Sequence, residues 1–534
     1  MTEEAKSARA KRVRISFLWW IPTIALAMAL VAAVVTTFVF YHAEPILKGR
    51  VVETLSAHFQ GPVQLEEFHV SIKNGLQVTG AGLKIFGPSD PNLHEPGVQP
   101  LITIGRFRFG ADIPNLLHTP MRVRRVYVED LKLNIPPKEA RRGSLKGDKI
   151  WIYVDEFVCH QALLVINTLR PGKLPIDLDI HSLQMKRIGP GQPLEFKASL
   201  VNPKPVGAIQ STGLFGPWDA DDPRSSPVQG EYSFTNADLS TIKGIGGILS
   251  STGEYGGTLG NIVVDGSTDT PNFRIRMSGH PVPLHTHFHA IVDGTSGDTY
   301  LESVVAKILH SSLIARGSVL RVKNANGQNG HRVVLDVDVG PARIEDLLKL
   351  GVRTDPPVMT GSAYLRTKFD LSPGDAQFTD RLRLAGTFHI SRAHFTNESV
   401  QSKVDELSLR SQGRPNEAKD NIPENVLSEM NGSFQLSAGV LSFQKLHYEV
   451  PGTKVDLAGE YSLDGNEFDL HGKARMEAKL SHMVTGWKSI LLKPVDPFFS
   501  KHGAGTELPV QVTGTKSAPH IGLDFGHKDK TEQR

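Results

Sequence analysis

The chain has 534 residues, a formal net charge of +3 and a single cysteine, Cys159. The near-neutral charge gives no indication of a nucleic-acid partner, and one cysteine excludes an intramolecular disulfide framework or a multi-cysteine metal site. The length exceeds what one hydrophobic core usually needs. Cys159 lies in a strand-like apolar run, where we expect it to be a small buried residue.

The N-terminal part of the chain carries a segment suited to a membrane. Residues 15–41, ISFLWWIPTIALAMALVAAVVTTFVFY, contain no charge, and a helix over 17–40 would be ~36 Å long, enough to cross a bilayer. Lysines and arginines precede the segment, so the positive-inside rule predicts a cytoplasmic tail at 1–14 and places 42–534 outside. A cleaved signal peptide is the alternative, but its apolar region is normally ~7–15 residues. The sequence therefore predicts a retained single-pass anchor.

Elements after the anchor are predicted from apolar periodicity. Residues 43–59 have helical spacing, and Gln60–Gly61–Pro62 ends the helix. In VQLEEFHVSI (63–72) the alternation slips by one residue, which suggests a bulge. The glycine-rich stretch 243–257 has no phosphate-loop pattern and reads as turns. Residues 300–317 fit either a helix or paired strands, and 342–351 read as a short amphipathic helix ended by Gly351.

The clearest single pattern is a hairpin at 455–474, VDLAGEYSLDGNEFDLHGKA. Two strictly alternating runs flank the turn pair Asp464–Gly465. One face is apolar and the other is charged, so the apolar face must be covered. Its candidate lining residues are Val455, Leu457, Tyr461, Leu463, Phe468 and Leu470.

Short alternating runs separated by Gly, Pro, Asp or Asn continue along nearly the whole exported part. No strand–helix alternation is present, so the fold is predicted to be mainly β. Two arrangements fit this pattern equally. A set of sandwiches would cover each apolar face with a second sheet, whereas one long rolled sheet would leave an apolar lining inside a groove.

Three regions of the chain resemble the AsmA-like family of bacterial envelope proteins, within the superfamily of bridge-like lipid-transport proteins. The first is the anchor followed by GRVVETLSAHFQGPVQLEEFHVSIKNGLQVTGAGLKIFG (49–87). The second is GTFHISRAHFTNESVQSKVDELSLRSQG (386–413). The third runs from MNGSFQLSAGVLSFQKLHYEVPGTKVDLAGEYSLDG (430–465) to LPVQVTGTKSAPHIGLDF (508–525).

The resemblance implies a fold and a domain organisation. An N-terminal transmembrane helix would be followed by an elongated, rolled, groove-forming β-sheet with a few short helices. After the tail (1–14) and the anchor (15–41), the regions would be an N-terminal AsmA-like β region (42–150), a central β region (151–385) and an AsmA-like C-terminal region (386–534). The protein would be held in the inner membrane, with the bulk of the chain in the periplasm.

The resemblance also implies a function. The apolar groove would carry phospholipid, or support its transport, towards the outer membrane, and the six lining residues named above would contact acyl chains. Alternatively, these residues pack against a second sheet or a capping helix. Such a carrier needs no cofactor and no catalytic residue, so we do not expect an enzyme. Two other functions fit the β-rich pattern: a non-transporting scaffold for outer-membrane biogenesis and, less well, a glycan-acting or glycan-binding module.

One cluster has the spacing of metal ligands. His285, His287 and His289 alternate in PLHTHFHAIVDG (283–294), so in a strand all three lie on one face, where His-x-His can bind zinc. With 21 histidines in the chain, one such cluster is expected by chance. We expect these side chains to face solvent, opposite Leu284, Phe288 and Ala290, and predict no metal site.

Overall fold

The computed structural model describes most of the chain after residue 43. The described residues are 30–31, 44–71, 76–87, 99–111, 121–136, 152–167, 173–219, 222–276, 280–324, 326–374, 376–419, 424–463, 467–485, 493, 496, 505–515 and 518–524. The predicted tail (1–14) and anchor (15–41) lie outside these ranges, apart from 30–31. Within the described ranges, no helix is long and apolar enough to cross a membrane.

Strands make up most of the described chain, in agreement with the predicted mainly β class. They are β1 (Val63–Ser71), β2 (Leu76–Ile85), β3 (Ile102–Ala111), β4 (Met121–Ile135), β5 (Ile152–Ile166), β6 (Ile176–Ile188), β7 (Leu194–Pro203), β8 (Val206–Phe215), β9 (Pro227–Asp238), β10 (Ile245–Gly246), β11 (Ile248–Thr258), β12 (Asn261–Ile275), β13 (Val282–Asp293), β14 (Asp298–Ile308), β15 (Ser311–Lys323), β16 (Asn329–Arg343), β17 (Met359–Leu371), β18 (Leu382–Phe395), β19 (Ser428–Ser437), β20 (Val440–Val450), β21 (Thr453–Ser462), β22 (Glu467–Met476), β23 (Thr506–Thr515) and β24 (Ala518–Leu523).

Among the described residues, α-helices of four or more residues are few and short. They are α1 (residues 44–59), α2 (Ile344–Gly351), α3 (Phe378–Arg381), α4 (Glu398–Ser411) and α5 (Pro415–Lys419). The predicted helices at 43–59 and 342–351 are confirmed as α1 and α2. The first of them ends as expected, since the N–H of Gly61 donates to the carbonyl of Ser56 at 3.3 Å.

The chain forms two compact units. The first comprises residues 1–134, 141–162 and 186–190, and the second comprises 135–140, 163–185 and 191–534. The second unit contains the regions on both sides of residue 385, where β17, β18 and β19 pair as neighbours in one sheet.

In the first unit, β1, β2, β3 and β4 pair in sequence as antiparallel neighbours. The predicted slip in β1 is present, but it is not a bulge with an extra residue. Leu65 pairs with Leu83 and Glu67 with Ala81, so the register is the same on both sides. Between them, Gly82 has a φ of 67°, a conformation that glycine adopts without strain. The alternation of inward and outward side chains therefore shifts by one residue in β1 and in β2 at the same point.

The second unit is an antiparallel meander. Each strand from β7 to β24 pairs with the next in sequence, except that β9 pairs with β11 and the short β10 pairs with β12. Register shifts interrupt several of these ladders, for example between Phe443 and Leu446. Such irregularities bend a strand and increase its twist.

The sheet of the second unit is strongly curled. A Cβ at Gly244, just before β10, would lie 2.6 Å from Cγ of Phe378 in α3. Six ladder steps separate β12, the partner of β10, from β18, or about 29 Å in a flat sheet. Lys173, which precedes β6, likewise forms an ion pair with Asp298 at the start of β14. Contacts between such distant strands require the sheet to close towards itself, as a half-barrel does.

The structure decides the secondary structure of two further segments. Residues 300–317 are the hairpin of β14 and β15 rather than a helix. The prediction of turns for 243–257 was wrong, because β11 occupies Ile248–Thr258 and pairs with strands on both sides. Its glycines lie against neighbouring backbone: a Cβ at Gly253 would lie 2.4 Å from the carbonyl oxygen of Asp265.

Cys159 lies in β5 and is fully buried, as predicted. Burial raises the pKa of its thiol to about 11, so only about one thiol in a thousand is ionised at pH 8. We expect iodoacetamide to leave Cys159 unmodified in the native protein at about pH 8 and to alkylate it in denaturant, as measured by mass spectrometry. Ser312→Cys, at an exposed position, is the positive control. Rapid native alkylation of Cys159 would contradict its burial.

Candidate functional site

The hairpin at 455–474 has the register that its alternation predicts. In the β21–β22 pair, Val455 is opposite Ala474, Leu457 opposite Gly472 and Tyr461 opposite Phe468. Leu470, opposite Gly459, shares this face. Leu463 follows the end of β21, where its N–H donates to the carbonyl of Gly439 at 2.9 Å. The turn residues 464–466 lie outside the described ranges.

The apolar face of this hairpin is on the concave side of the sheet. A Cβ at Gly472 would lie 1.8 Å from the carbonyl oxygen of Asp456, and one at Gly459 would lie 2.1 Å from that of Asp469. Side chains converge on the concave side of a curled sheet, so positions without a Cβ relieve crowding there. The tyrosine and phenylalanine of the pair stack beside these glycines, with ring centroids of Tyr461 and Phe468 4.5 Å apart.

The apolar face continues through the neighbouring strands. We call it the inner face. In the second unit it consists of the residues whose side chains lie on the same face of the sheet as Leu457. Leu457 pairs with Leu446 on β20, which pairs with Gly432 on β19 and through it with Phe388 on β18. Followed to the other strands through pairing and alternation, the same face carries Leu200, Ile209, Phe234, Val264, Phe288, Val304, Ala315, Val337, Leu365, Leu470 and Val512.

Helix α2 covers part of the inner face. Its Ile344 is buried together with Ala363 and Ile390 of β17 and β18, and Leu347 and Leu348 pack against this cluster. The helix is fixed at the β14–β15 turn by a buried carboxylate. Asp346 accepts hydrogen bonds from the N–H of His310 at 3.0 Å and the hydroxyl of Ser311 at 2.8 Å.

Helix α4 covers another part, close to where β20 ends. Val404 of the helix forms a buried cluster with Val426 and Val450, against which Tyr448 packs. The buried Asp405 accepts hydrogen bonds from the N–H of Val426 and from the side-chain amide of Gln401, both at 2.9 Å. The carboxylates of Asp346 and Asp405 are thus occupied in holding the two helices on the sheet.

Away from these helices the inner face is only partly covered. Among the lining residues of the hairpin, Val455, Leu457, Tyr461 and Phe468 are half-buried and Leu470 is buried, as are Ile390 under α2 and Val450 under α4. A curled apolar surface with helices over one end and half-exposed side chains elsewhere is a groove. Its lining can hold an apolar ligand without tight shape complementarity.

The inner face is also a poorly hydrated environment. Burial raises the pKa of the phenol groups of Tyr232, Tyr255, Tyr448 and Tyr461, all of which lie on this face. Removal from water disfavours the charged phenolate. These four tyrosines lie on β9, β11, β20 and β21, so phenol groups at both ends of this range are shielded from water.

The outer face of the sheet carries the charged residues of the strands, and several of its histidines pair with carboxylates. His285, His287 and His289 lie there as predicted, opposite Leu284, Phe288 and Ala290. Asp269 lies 2.5 Å from Nδ1 of His285, and Asp265 lies 2.7 Å from Nδ1 of His289. Among the described residues, no group of three or more His, Cys, Asp or Glu side chains is placed to hold a metal ion.

Sequence reasoning identified one hairpin of the inner face and missed most of the rest. It did not predict that α2 and α4 pack on this face, because such contacts join residues far apart in the chain. It also missed the hydroxyl-bearing inner residues of β11 and β12, such as Ser251, Tyr255 and Thr268. The sequence does alternate in SSTGEYGG (250–257). The alternation was not recognised because glycine, which has no side chain, occupies two of the inner positions.

No protein-family model, curated protein or solved structure is detectably similar to this chain.

An ion network on the outer face predicts a pH dependence of stability. The pKa of His471 is raised because its imidazole donates hydrogen bonds to two carboxylates, each at 2.9 Å. Asp524 has the larger effect and Asp469 the smaller. Since the folded-state pKa is raised, the stabilisation is complete below the unfolded-state pKa of ~6.5 and is lost as pH rises through the folded value. Asp524→Asn should therefore lower the free energy of unfolding more at about pH 5.5 than at about pH 8.5.

Urea titrations at the two pH values measure this difference. Asp336→Asn, on the outer face of β16, is the matched control and should show the same small effect at both. An Asp524→Asn effect that grows with pH would contradict the assigned direction.

Proposed function

We propose that this chain is an inner-membrane-anchored periplasmic protein whose apolar groove carries phospholipid, or supports its transport, in the cell envelope towards the outer membrane. The observation that supports it best is the inner face: in the second unit it is concave and mainly apolar, and several of its side chains, such as Leu457 and Phe468, are only half-buried. The sequence resemblance to AsmA-like proteins, including the apolar segment 15–41, supports the same proposal.

Binding in such a groove depends on transfer of acyl chains from water. Each CH₂ group that leaves water contributes about 0.8 kcal/mol, so a lipid is retained without a specific headgroup site. The lining residues, with Val455, Leu457, Tyr461, Phe468 and Leu470 among them, provide apolar contacts of similar strength along the face. Because no position is strongly preferred, a bound lipid can move along the groove. No catalytic residue or cofactor is needed for this role.

A lipid in the groove should be captured by a photoreactive side chain on the inner face. We expect benzoylphenylalanine at Leu457 to form a covalent adduct with co-purified phospholipid on irradiation of cells, detected by mass spectrometry of the intact protein. Ala458 is the matched control, since it is adjacent in β21 but exposed on the outer face; it should give no lipid adduct.

Two outcomes would contradict the proposal. Adducts between position 457 and another segment of this chain, without lipid, would mean that protein fills the groove and would favour the scaffold alternative. Equal lipid labelling at 457 and 458 would mean that the labelling reflects the surrounding membrane rather than the groove.

The proposed topology has its own test. Alkaline phosphatase, which is active only outside the cytoplasm, should be active when fused after residue 60, and a fusion after residue 14 should be inactive. The physical reason is the concentration of Lys and Arg before the apolar segment. An inactive but full-length fusion after residue 60 would contradict the proposed orientation.

A further inference from the structure

The inner face is not apolar throughout. On β8, β9, β11, β12 and β13 it carries a group of hydroxyl side chains that we call the hydroxyl belt: Ser211, Tyr232, Ser251, Tyr255, Thr268 and Thr286. They share the inner face by register, since Ser211 pairs with Tyr232, Gly253 with Tyr232 and Thr268 with both Ser251 and Thr286. The inner residues of these five strands carry no charge within the described ranges.

The two tyrosines of the belt lie across the sheet over glycines. A Cβ at Gly230 would lie 2.8 Å from Oη of Tyr255, and one at Gly253 would lie 2.8 Å from Cε1 of Tyr232. Each ring thus crosses a neighbouring strand at a position where no side chain obstructs it. The phenol groups are held close to the floor of the groove, and a ligand lying in the groove would pass over them.

The hydrogen bonds of the belt fix the direction of each hydroxyl proton. Ser211 donates to the carbonyl of Glu231 at 2.9 Å, and Ser251 donates to the carbonyl of Ser267 at 3.0 Å. A serine has one proton, so it must accept from its tyrosine: Tyr255 donates to Ser211 at 2.7 Å and Tyr232 donates to Ser251 at 3.0 Å. Both phenol oxygens have therefore used their donor and offer only acceptor sites.

The threonines of the belt supply a hydrogen-bond donor. Oγ1 of Thr268 and Oγ1 of Thr286 are 2.5 Å apart, and one donates to the other, so one hydroxyl proton of the pair remains available. Thr270, the next inner residue of β12, is fully buried, and its Oγ1 has no hydrogen-bond partner among the described residues. Because Thr270 is not exposed, it does not contact a ligand in the groove, and the donor of this part of the belt is the free proton of the Thr268–Thr286 pair.

We propose that the hydroxyl belt is a subsite for an uncharged glycerol ester with a free hydroxyl, as in a monoacylglycerol. Such a group has a hydroxyl that donates to the tyrosine oxygens and ester oxygens that accept from threonine. An anionic or cationic group would have no counter-charge there and would be costly to bury. The inference rests on the proposed function, because the acyl chain of this ligand would occupy the apolar face on either side of the belt.

The test compares two ligands with the same acyl chain. We expect purified full-length protein in amphipol to bind mono-oleoylglycerol about tenfold more tightly than methyl oleate, as measured by displacement of a fluorescent fatty-acid probe. The double variant Tyr232→Phe, Tyr255→Phe should abolish this preference and leave methyl oleate binding unchanged, since each lost hydrogen bond weakens binding about threefold. Folding should be retained because both serines keep their carbonyl acceptors.

Tyr448→Phe is the matched control. It removes another inner-face phenol, bonded to Ser428 at 2.9 Å under α4 and outside the belt, and it should keep the preference. Equal binding of the two ligands to the wild-type protein, or an unchanged preference in the double variant, would overturn the subsite and leave the proposed function intact. Binding of neither ligand would overturn both.

Discussion

The concave apolar face of the second unit has to be kept from water, and the rest of that unit is arranged around this requirement. An antiparallel sheet that faces solvent on one side needs a cover on the other. Here the cover is incomplete. Helices α2 and α4 are fixed over the inner face by the buried carboxylates of Asp346 and Asp405, while side chains such as Leu457 and Phe468 remain half-buried.

Curvature is what allows a single sheet to hold such a face. Glycines at inner positions, for example Gly459 and Gly472, let the strands approach on the concave side, and register shifts in the ladders add twist. The ion pair of Lys173 with Asp298 then joins distant strands of the curled sheet. The polar outer face, with its histidine–carboxylate pairs, meets solvent and leaves the apolar lining inside.

How far the sequence predicted this structure depended on the local pattern. The hairpin at 455–474 was predictable in register because its alternation is strict and its turn residues are strong. Residues 300–317 were ambiguous because Leu301, Val304 and Ile308 have helical spacing while Val304, Ala306 and Ile308 alternate as in a strand, and only pairing with β13 decides between them. Residues 243–257 were predicted to form turns because a glycine-rich sequence is typical of loops, whereas in β11 the glycines occupy inner positions of a strand. The positions of α2 and α4 depend on contacts between distant residues, which periodicity does not encode.

The neighbour-to-neighbour order of the strands also has a consequence for how the chain folds. In the second unit almost every ladder joins strands that are consecutive in sequence, so most new strands need only a short loop to close before they pair, whereas β19 follows the longer segment that contains α4 and α5. Pairing can therefore start at β7 and proceed strand by strand while the C-terminal part is still being synthesised. The contact between Lys173 and Asp298, 125 residues apart, can form only after the intervening strands are in place. Curling is then a late event, which follows the growth of the sheet.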